Sequence, residues 1–135
     1  MANLYTSGTK IVWRPEKVIA HVRQAMEQRL RDLGPDVQAK VKANVSVPTA
    51  TAGPSSPGDF PHAETFNLRD SIWWKVVSER KGAALFVGAN AKDADGFDYG
   101  LFHEFTSGRS YLRRTLAEMG AGIHRRLTAP IPGLK

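Results

Sequence analysis

The stretch that constrains the fold most is YGLFHEFTSGRSYLRRTL, residues 99–116. Leu101, Phe102 and Phe105 share one face of a helix there, because they are separated by one, three and four positions. Glu104 points away from that face. The pattern therefore predicts a short helix that carries large apolar side chains on one side and a carboxylate on another.

A turn and a second helix follow. Residues 106–108, Thr-Ser-Gly, supply the turn, because glycine tolerates a positive φ and hydroxyl groups bond nearby backbone groups. Ser110 is the predicted N-cap of the final helix.

Three arginines lie close to Glu104 in the sequence: Arg109, Arg113 and Arg114. We predict that Glu104 is buried and pairs with one of them, since a planar guanidinium group matches a carboxylate. The alternative is a solvent-exposed pair, which would be worth under about 1 kcal/mol. Either pairing fastens the aromatic helix to the arginine cluster.

The composition predicts a single domain over residues 1–135. Hydrophobic residues make up 41% and charged residues 24%, values that exclude wholesale disorder. No apolar run is long enough to span a bilayer, so no membrane association is expected. The first ten residues lack a secretory pattern, which predicts a protein that starts in the cytoplasm. The lack of cysteine excludes disulfides and thiolate metal sites, and the formal charge of +6 is compatible with a polyanionic neighbour.

Hydrophobic periodicity divides the chain into segments. An apolar stripe with a spacing of three or four predicts an amphipathic helix over residues 14–45: Val18, Val22, Met26, Leu30, Leu33, Val37, Val41 and Val45. Gly34 and Pro35 interrupt the stripe, which leaves open one kinked helix or two segments. The other predicted segments are an N-terminal arm over 1–13 with a short edge strand within 5–13, a loop over 46–66, a hairpin over 67–88, a loop over 89–98, helices over 99–127 and a tail over 128–135.

These segments predict an α+β fold. A small antiparallel sheet packs against a long N-terminal helix and a C-terminal helix, with a long loop rich in Pro, Gly and Ser that lacks regular structure and is either mobile or clamped by its neighbours. Strand alternation puts Trp73 and Trp74 on opposite faces of the sheet. We expect one tryptophan to pack on the long helix and the other to be available to a partner.

Short catalytic and metal motifs are present only in part. Residues 61–64, Pro-His-Ala-Glu, begin a zinc-deaminase signature whose second half requires cysteines. His103 and Glu104 begin a metalloprotease motif, but position 107 is serine instead of histidine. The acidic loop around residues 93–98 resembles a calcium loop in spacing, but Phe97 occupies a ligand position, so a solvated loop is predicted. We therefore predict no enzyme, no cofactor and no metal site, with a hydrolase using His103 and Glu104 as the remoter alternative.

Taken together, these residues resemble a protein family of tailed bacteriophages. Its members are the small head-tail joining or tail-completion proteins of the neck, often described as tail components. The resemblance runs from the long basic helix to about residue 127. It is carried by the order of that helix, the variable loop after it and four segments: NLRDSI at 67–72, Val-Gly at 87–88, YGLFHEFTSG at 99–108 and RSYLRRTL at 109–116. The chain departs from the family pattern at Asn67, where glycine is usual, at residues 105–107, where Gly-Thr is usual, and at Ser110, which replaces proline.

The resemblance implies a structural protein of the virion. It would form a ring, a hexamer or dodecamer, in the neck, after assembly in the host cytoplasm. Its partners would be other copies of itself, the connector, the stopper and the tail terminator or tail tube proteins. Basic side chains lining the ring could contact passing DNA nonspecifically.

Most of the candidate interface or fold-defining residues come from the segments that carry the resemblance, and two tryptophans come from the strand predicted after the first of them. They are Asn67, Leu68, Arg69, Ser71, Trp73, Trp74, Tyr99, Glu104, Phe105, Arg109, Tyr111, Leu112, Arg113 and Arg114. The alternative function is a basic nucleic-acid-binding module, for which the last helix offers Arg113, Arg114, Arg125 and Arg126.

Overall fold

The computed structural model describes the backbone of residues 4–6, 9–11, 15–63, 66–80 and 82–133, and side chains from residue 15 onward within those ranges. The strands are β1 (Leu4–Thr6), β2 (Thr9–Ile11), β3 (Trp73–Glu79) and β4 (Gly82–Gly88). The helices are α1 (Pro15–Asn44), α2 (Thr49–Ala52), α3 (Asn67–Asp70), α4 (Tyr99–Phe105) and α5 (Leu112–Thr128).

Helix α1 is one uninterrupted helix of 30 residues, so the alternative of two segments is wrong. Its N-terminus suits the sequence, because Pro15 needs no hydrogen-bonded N–H at the first position and Glu16 complements the helix dipole. Pro35 lies inside the helix and is exposed. The buried positions of its second half are Leu33, Gly34, Val37 and Val41, with Val45 just beyond the helix.

Strands β3 and β4 form an antiparallel hairpin that packs on α1, with Trp73 opposite Gly88 and Trp74 opposite Val87. Trp74 faces the helix, where a Cβ atom placed on Gly34 would lie 2.3 Å from its Cε3 atom. Trp73 lies on the opposite face and is 40% exposed. The prediction that the two tryptophans lie on opposite faces, with one packed on the long helix, is confirmed.

The hairpin was predicted over residues 67–88, and its predicted start is wrong. Residues Asn67–Asp70 form a single turn of helix, α3, and the ladder starts only at Trp73. Phe66 precedes this turn with φ of 63°, in the left-handed region that non-glycine residues rarely adopt. Ser71 ends it, with its hydroxyl donating to the Leu68 carbonyl.

The core lies where α1 meets the hairpin, α3 and the start of α5. Its buried members come from the end of α1, the segment around α3, the loop after β4 and the start of α5: Val37, Val41, Val45, Leu68, Ile72, Ala91 and Tyr111. Helix α5 packs along α1. The arrangement is the predicted α+β fold, a long N-terminal helix, a two-stranded antiparallel sheet and a C-terminal helix.

The loop predicted over 46–66 was expected to lack regular structure, and this is wrong at α2; we call residues 48–63 the proline-rich loop. Pro48 precedes that turn with φ of −71°, a value its ring imposes and a helix N-cap accommodates. Pro48 also pairs with Ala63 in a parallel bridge that closes the loop at its base. The loop is clamped by neighbours, as one of the two sequence alternatives held.

The N-terminal arm contains a hairpin in place of the single predicted edge strand. Strands β1 and β2 pair antiparallel, with Leu4 opposite Ile11 and Thr6 opposite Thr9. Val12 and Trp13, which completed the predicted strand, lie outside the described residues. Glu64 of the incomplete zinc motif also lies outside them, as does Lys81 between β3 and β4.

Candidate functional site

The Glu104 carboxylate is buried between α4 and α5, with 4% of the residue exposed. Its Oε2 atom accepts hydrogen bonds from the backbone N–H groups of Tyr111, at 2.9 Å, and Leu112, at 2.8 Å. Its Oε1 atom accepts from the Arg113 N–H at 3.0 Å and the Arg113 Nε at 2.8 Å. The Ser110 hydroxyl donates to Oε1 as well, at 3.0 Å. We call this arrangement the Glu104 latch.

The latch caps α5 from outside that helix. The first N–H groups of a helix lack intrahelical partners and attract negative charge. Tyr111 occupies the N-cap position but makes no side-chain capping bond. The prediction that Ser110 caps α5 is therefore wrong, because the carboxylate of Glu104 binds these N–H groups and the Ser110 hydroxyl donates to that carboxylate.

The hydrogen bonds also determine the charge state of the latch. Burial alone would raise the pKa of Glu104, but the N–H groups of Leu112 and Arg113, the Arg113 guanidinium and the Tyr111 N–H together hold that pKa below its ordinary value. Burial and the nearby Glu104 charge raise the pKa of Tyr111. At neutral pH the latch thus holds an ionised carboxylate beside an un-ionised phenol.

Arg113 is the arginine that pairs with Glu104, as the sequence predicted for one of three. Its side chain is 62% exposed, and its guanidinium also donates to the Glu104 carbonyl at 2.5 Å. The same guanidinium lies 4.7 Å from the centre of the Phe105 ring, within cation–π range. Arg113 thereby joins the buried carboxylate to an exposed aromatic side chain.

The other two arginines hold the proline-rich loop instead of Glu104. Arg109 donates to the hydroxyl and the carbonyl of Ser55, both at 2.8 Å. Arg114 donates to the Gly58 carbonyl at 2.6 Å, and its guanidinium lies 4.1 Å from the centre of the Phe60 ring. The arginine cluster therefore fixes two segments, α4 and the loop, against the start of α5.

The outward face of α4 is apolar. Gly100 and Glu104 are the buried positions of this helix, and Gly100 permits a close approach to Tyr111, whose hydroxyl oxygen would lie 3.0 Å from an added Cβ. The opposite side is exposed, by 57% at Leu101, 38% at Phe102 and 65% at Phe105.

Phe97, in the loop before α4, adds to this surface. It is 51% exposed, and its ring centre lies 5.5 Å from that of Phe102. We call the four residues Phe97, Leu101, Phe102 and Phe105 the α4 patch. A contiguous exposed group of this kind is typical of an interaction surface.

A cleft of about 640 Å³ lies between the proline-rich loop, α3 and α4. Four of the candidate residues form part of its wall: Asn67, Leu68, Tyr99 and Arg109. Burial raises the pKa of Tyr99, and a hydrogen bond with the Asn67 side chain opposes that effect. The cleft is thus lined by residues from three of the four segments singled out in the sequence, 67–72, 99–108 and 109–116.

Other candidate residues lie apart from the latch. Arg69 stacks 4.2 Å from the centre of the Phe66 ring and pairs with Asp70 at 2.8 Å. Trp73 shares the outer sheet face with Lys75 and Phe86, whose contribution the sequence reasoning missed. Strand pairing could have indicated it, since Phe86 lies directly opposite Lys75.

The acidic loop uses two of its carboxylates internally. Asp93 accepts from the N–H groups of Asp95 and Phe97, both at 2.9 Å, which closes the loop. Asp98 accepts from the Leu101 N–H at 2.9 Å and so caps α4. Within the described ranges, no group of three or more histidine or acidic side chains is placed to hold a metal ion.

Comparisons of the chain with protein-family models, with curated proteins and with solved structures found no match. In the part of the chain that the structure describes, none of the helices combines the length and the apolar character needed to cross a membrane.

Proposed function

We propose that this chain is a structural protein of a tailed-bacteriophage virion, repeated as a ring in the neck that joins the head connector to the tail. The observation that carries the proposal is the α4 patch, an exposed apolar surface held in place by a buried carboxylate. The order of the segments that resemble neck proteins supports the same role.

The size of the α4 patch favours contact with protein. Its three phenylalanines alone expose roughly 300 Å² if each side chain offers about 200 Å². This area is comparable to the largest exposed apolar patch of a typical monomer, which is often a functional surface. Aromatic side chains and arginine are also the residues that dominate binding energy at protein interfaces, and Arg113 lies against Phe105 within this surface.

The rigidity of the patch favours a structural role. Glu104 ties α4 to α5 through three backbone N–H groups, so the apolar face cannot turn inward without breaking the latch. A surface that is fixed before binding loses little conformational entropy on association. This property suits a subunit that must add repeatedly in one geometry.

The ionisable groups that would suit catalysis have structural uses. Glu104 caps α5, Asp98 caps α4 and Asp93 closes the acidic loop. These roles support a nonenzymatic protein.

The arginines are similarly committed within the chain, which weighs against the nucleic-acid-binding alternative. Several donate to backbone carbonyls or carboxylates of the same chain: Arg23, Arg29, Arg109, Arg113, Arg114 and Arg126. Phosphate binding by these groups would compete with those bonds. In the proposed ring, basic side chains facing the lumen contact DNA without reading its sequence.

The test has two measurements. Sedimentation velocity and negative-stain imaging of the purified chain measure its assembly, and cryo-electron microscopy of particles carrying a tagged copy measures its position. The proposal expects ring-shaped oligomers and density at the junction with the connector, stopper and tail terminator or tail tube. Density only elsewhere in the particle, or absence from particles, contradicts it.

Measuring the affinity of the chain for duplex DNA distinguishes the neck proposal from the nucleic-acid-binding alternative. A nucleic-acid-binding module has micromolar affinity that falls steeply with salt, by about a factor of 10³ to 10⁵ between 50 and 200 mM for six to ten phosphate contacts. The neck proposal expects weak binding at low salt and no specific complex.

A further inference from the structure

The outer face of the β3–β4 hairpin carries a second exposed aromatic group. Trp73 is 40% and Phe86 is 45% exposed. The Lys75 ammonium lies between them, 5.7 Å from the Trp73 ring centre and 5.8 Å from that of Phe86. We call these three residues the sheet patch. It differs from the α4 patch in chemistry, because a cation occupies its centre.

Each patch includes or adjoins a charged side chain that makes no ion pair within the described chain. Lys75 makes no ion pair there, and neither does Asp95, whose backbone N–H bonds Asp93 while its carboxylate stays exposed. Asp95 lies two residues before Phe97, at the edge of the α4 patch. One patch therefore ends in an unpaired anion and the other surrounds an unpaired cation.

The surroundings extend this complementarity. Asp93 and Asp98 add negative charge beside Asp95, the exposed Lys92 offsets one of these charges, and the hydrogen bonds of the two aspartates hold the acidic loop in one conformation. The Arg113 charge at the far end of the α4 patch is balanced by Glu104. With three aspartates against one lysine, the acidic end keeps a net negative charge that attracts a cation.

We propose that the sheet patch of one copy docks on the α4 patch and acidic loop of the next copy, with Lys75 facing Asp95. The inference rests on the proposed ring and names the two surfaces that meet in it. Because the surfaces differ, the contact is head-to-tail and every copy uses both of them. Such contacts form a ring when the rotation from one copy to the next closes, as the proposed neck ring requires.

The exposed areas of the two patches suit a contact repeated around a ring better than a single contact between two copies. The sheet patch exposes roughly 200 Å² of aromatic surface, on the basis of about 200 Å² per side chain. Neither patch approaches the 800 Å² or so per partner that a stable one-to-one complex buries. A closed ring strengthens such a contact, because each copy is held on both sides.

A charge-swap experiment tests the pairing. The constant for self-association is measured by sedimentation velocity for the wild type, Lys75→Glu, Asp95→Lys and the double variant. Each single reversal places like charges across the contact and is expected to weaken association by about tenfold or more, and the double variant is expected to return to within about threefold of the wild type. Lys40→Glu is the matched control, because Lys40 is exposed on α1 and its reversal changes the net charge equally.

Each outcome decides the inference. Both positions are exposed and make no side-chain hydrogen bond in the described chain, and unchanged circular dichroism confirms that the variants fold. Wild-type rings that tolerate Lys75→Glu, or a double variant no better than the singles, overturn the docking inference and leave the neck proposal standing. A wild type that stays monomeric at every concentration also overturns the inference, and the position of the chain in particles then decides the neck proposal separately.

Discussion

Replacing Glu104 with glutamine tests whether the latch holds the C-terminal half of the molecule together. The substitution keeps the shape of the side chain but removes its charge and converts one acceptor oxygen into an NH₂ donor. Oε2 faces two backbone N–H groups and Oε1 faces the N–H and Nε of Arg113. Either orientation of the new amide therefore opposes a donor to at least two other donors.

The magnitude follows from these contacts. Hydrogen bonds to a charged group contribute about 1.5–3 kcal/mol each, and a helix N-cap about 0.5–2 kcal/mol. Because these terms overlap and Arg113 is 62% exposed, we expect Glu104→Gln to lower the free energy of unfolding by about 3 kcal/mol. For a chain of this length, that loss corresponds to a Tm about 10 °C lower.

Urea denaturation followed by tryptophan fluorescence measures the effect, since Trp74 is packed against α1. Glu118→Gln is the matched control, because Glu118 lies on the same helix that the latch caps, its side chain is 39% exposed and its Oε1 is 3.9 Å from the Arg114 Nε. That change should cost under about 1 kcal/mol. If Glu104→Gln falls within 1 kcal/mol of the control, the latch does not stabilise the fold as argued.

The pH dependence provides an independent measurement of the same latch. The pKa of Glu104 is lower in the folded chain than its ordinary value of 4.5. Its stabilisation is therefore fully present above pH 4.5 and is lost as the pH falls through that value toward the lower folded pKa. The difference in unfolding free energy between the wild type and Glu104→Gln should accordingly shrink below pH 4.5. A difference that stays constant as the pH falls would contradict an ionised latch.

Two further substitutions test the packing around the latch and the hairpin. Gly34→Ala should lower the free energy of unfolding by about 1–3 kcal/mol, because the new Cβ would lie 2.3 Å from Trp74. Gly120→Ala in α5 is the control: its new Cβ meets no described atom within 4 Å, so it should raise the free energy of unfolding by up to about 1 kcal/mol. Equal effects of the two substitutions in thermal denaturation would refute the close contact. Arg109→Ala should speed amide hydrogen exchange in the proline-rich loop while changing the free energy of unfolding by under about 1 kcal/mol, and Arg125→Ala, which changes an exposed arginine of α5, should leave the loop unchanged.

The parts of the fold that could be predicted from the sequence are those set by local periodicity. The stripe that ends in Val37, Val41 and Val45 is long enough to identify α1 within one residue at each end. Alternation alone placed Trp73 and Trp74 on opposite faces of the sheet. In both cases the signal is repeated several times within one element.

Single helical turns could not be predicted in this way, because four residues are too few to show a hydrophobic periodicity. Helix α2 lies within a run of prolines, and α3 follows Phe66 in a left-handed conformation that no local rule favours for phenylalanine. The contacts that stabilise these turns come from distant residues. Asn67, for example, bonds Tyr99 across the cleft.

The Glu104 latch shows why the site itself was only half predictable. Capping rules search within about four residues of a helix start, whereas Glu104 precedes the N–H groups it binds by seven to nine positions. A rule that turns large apolar side chains toward the core would also have turned Phe105 inward. The cap from outside α5 and the exposure of Phe105 have one cause. A carboxylate that occupies the inner side of α4 to cap α5 leaves the apolar side of α4 facing outward. Local rules are expected to fail where a surface serves a function, so the exposure of Phe105 supports the proposed role of α4 as a contact surface.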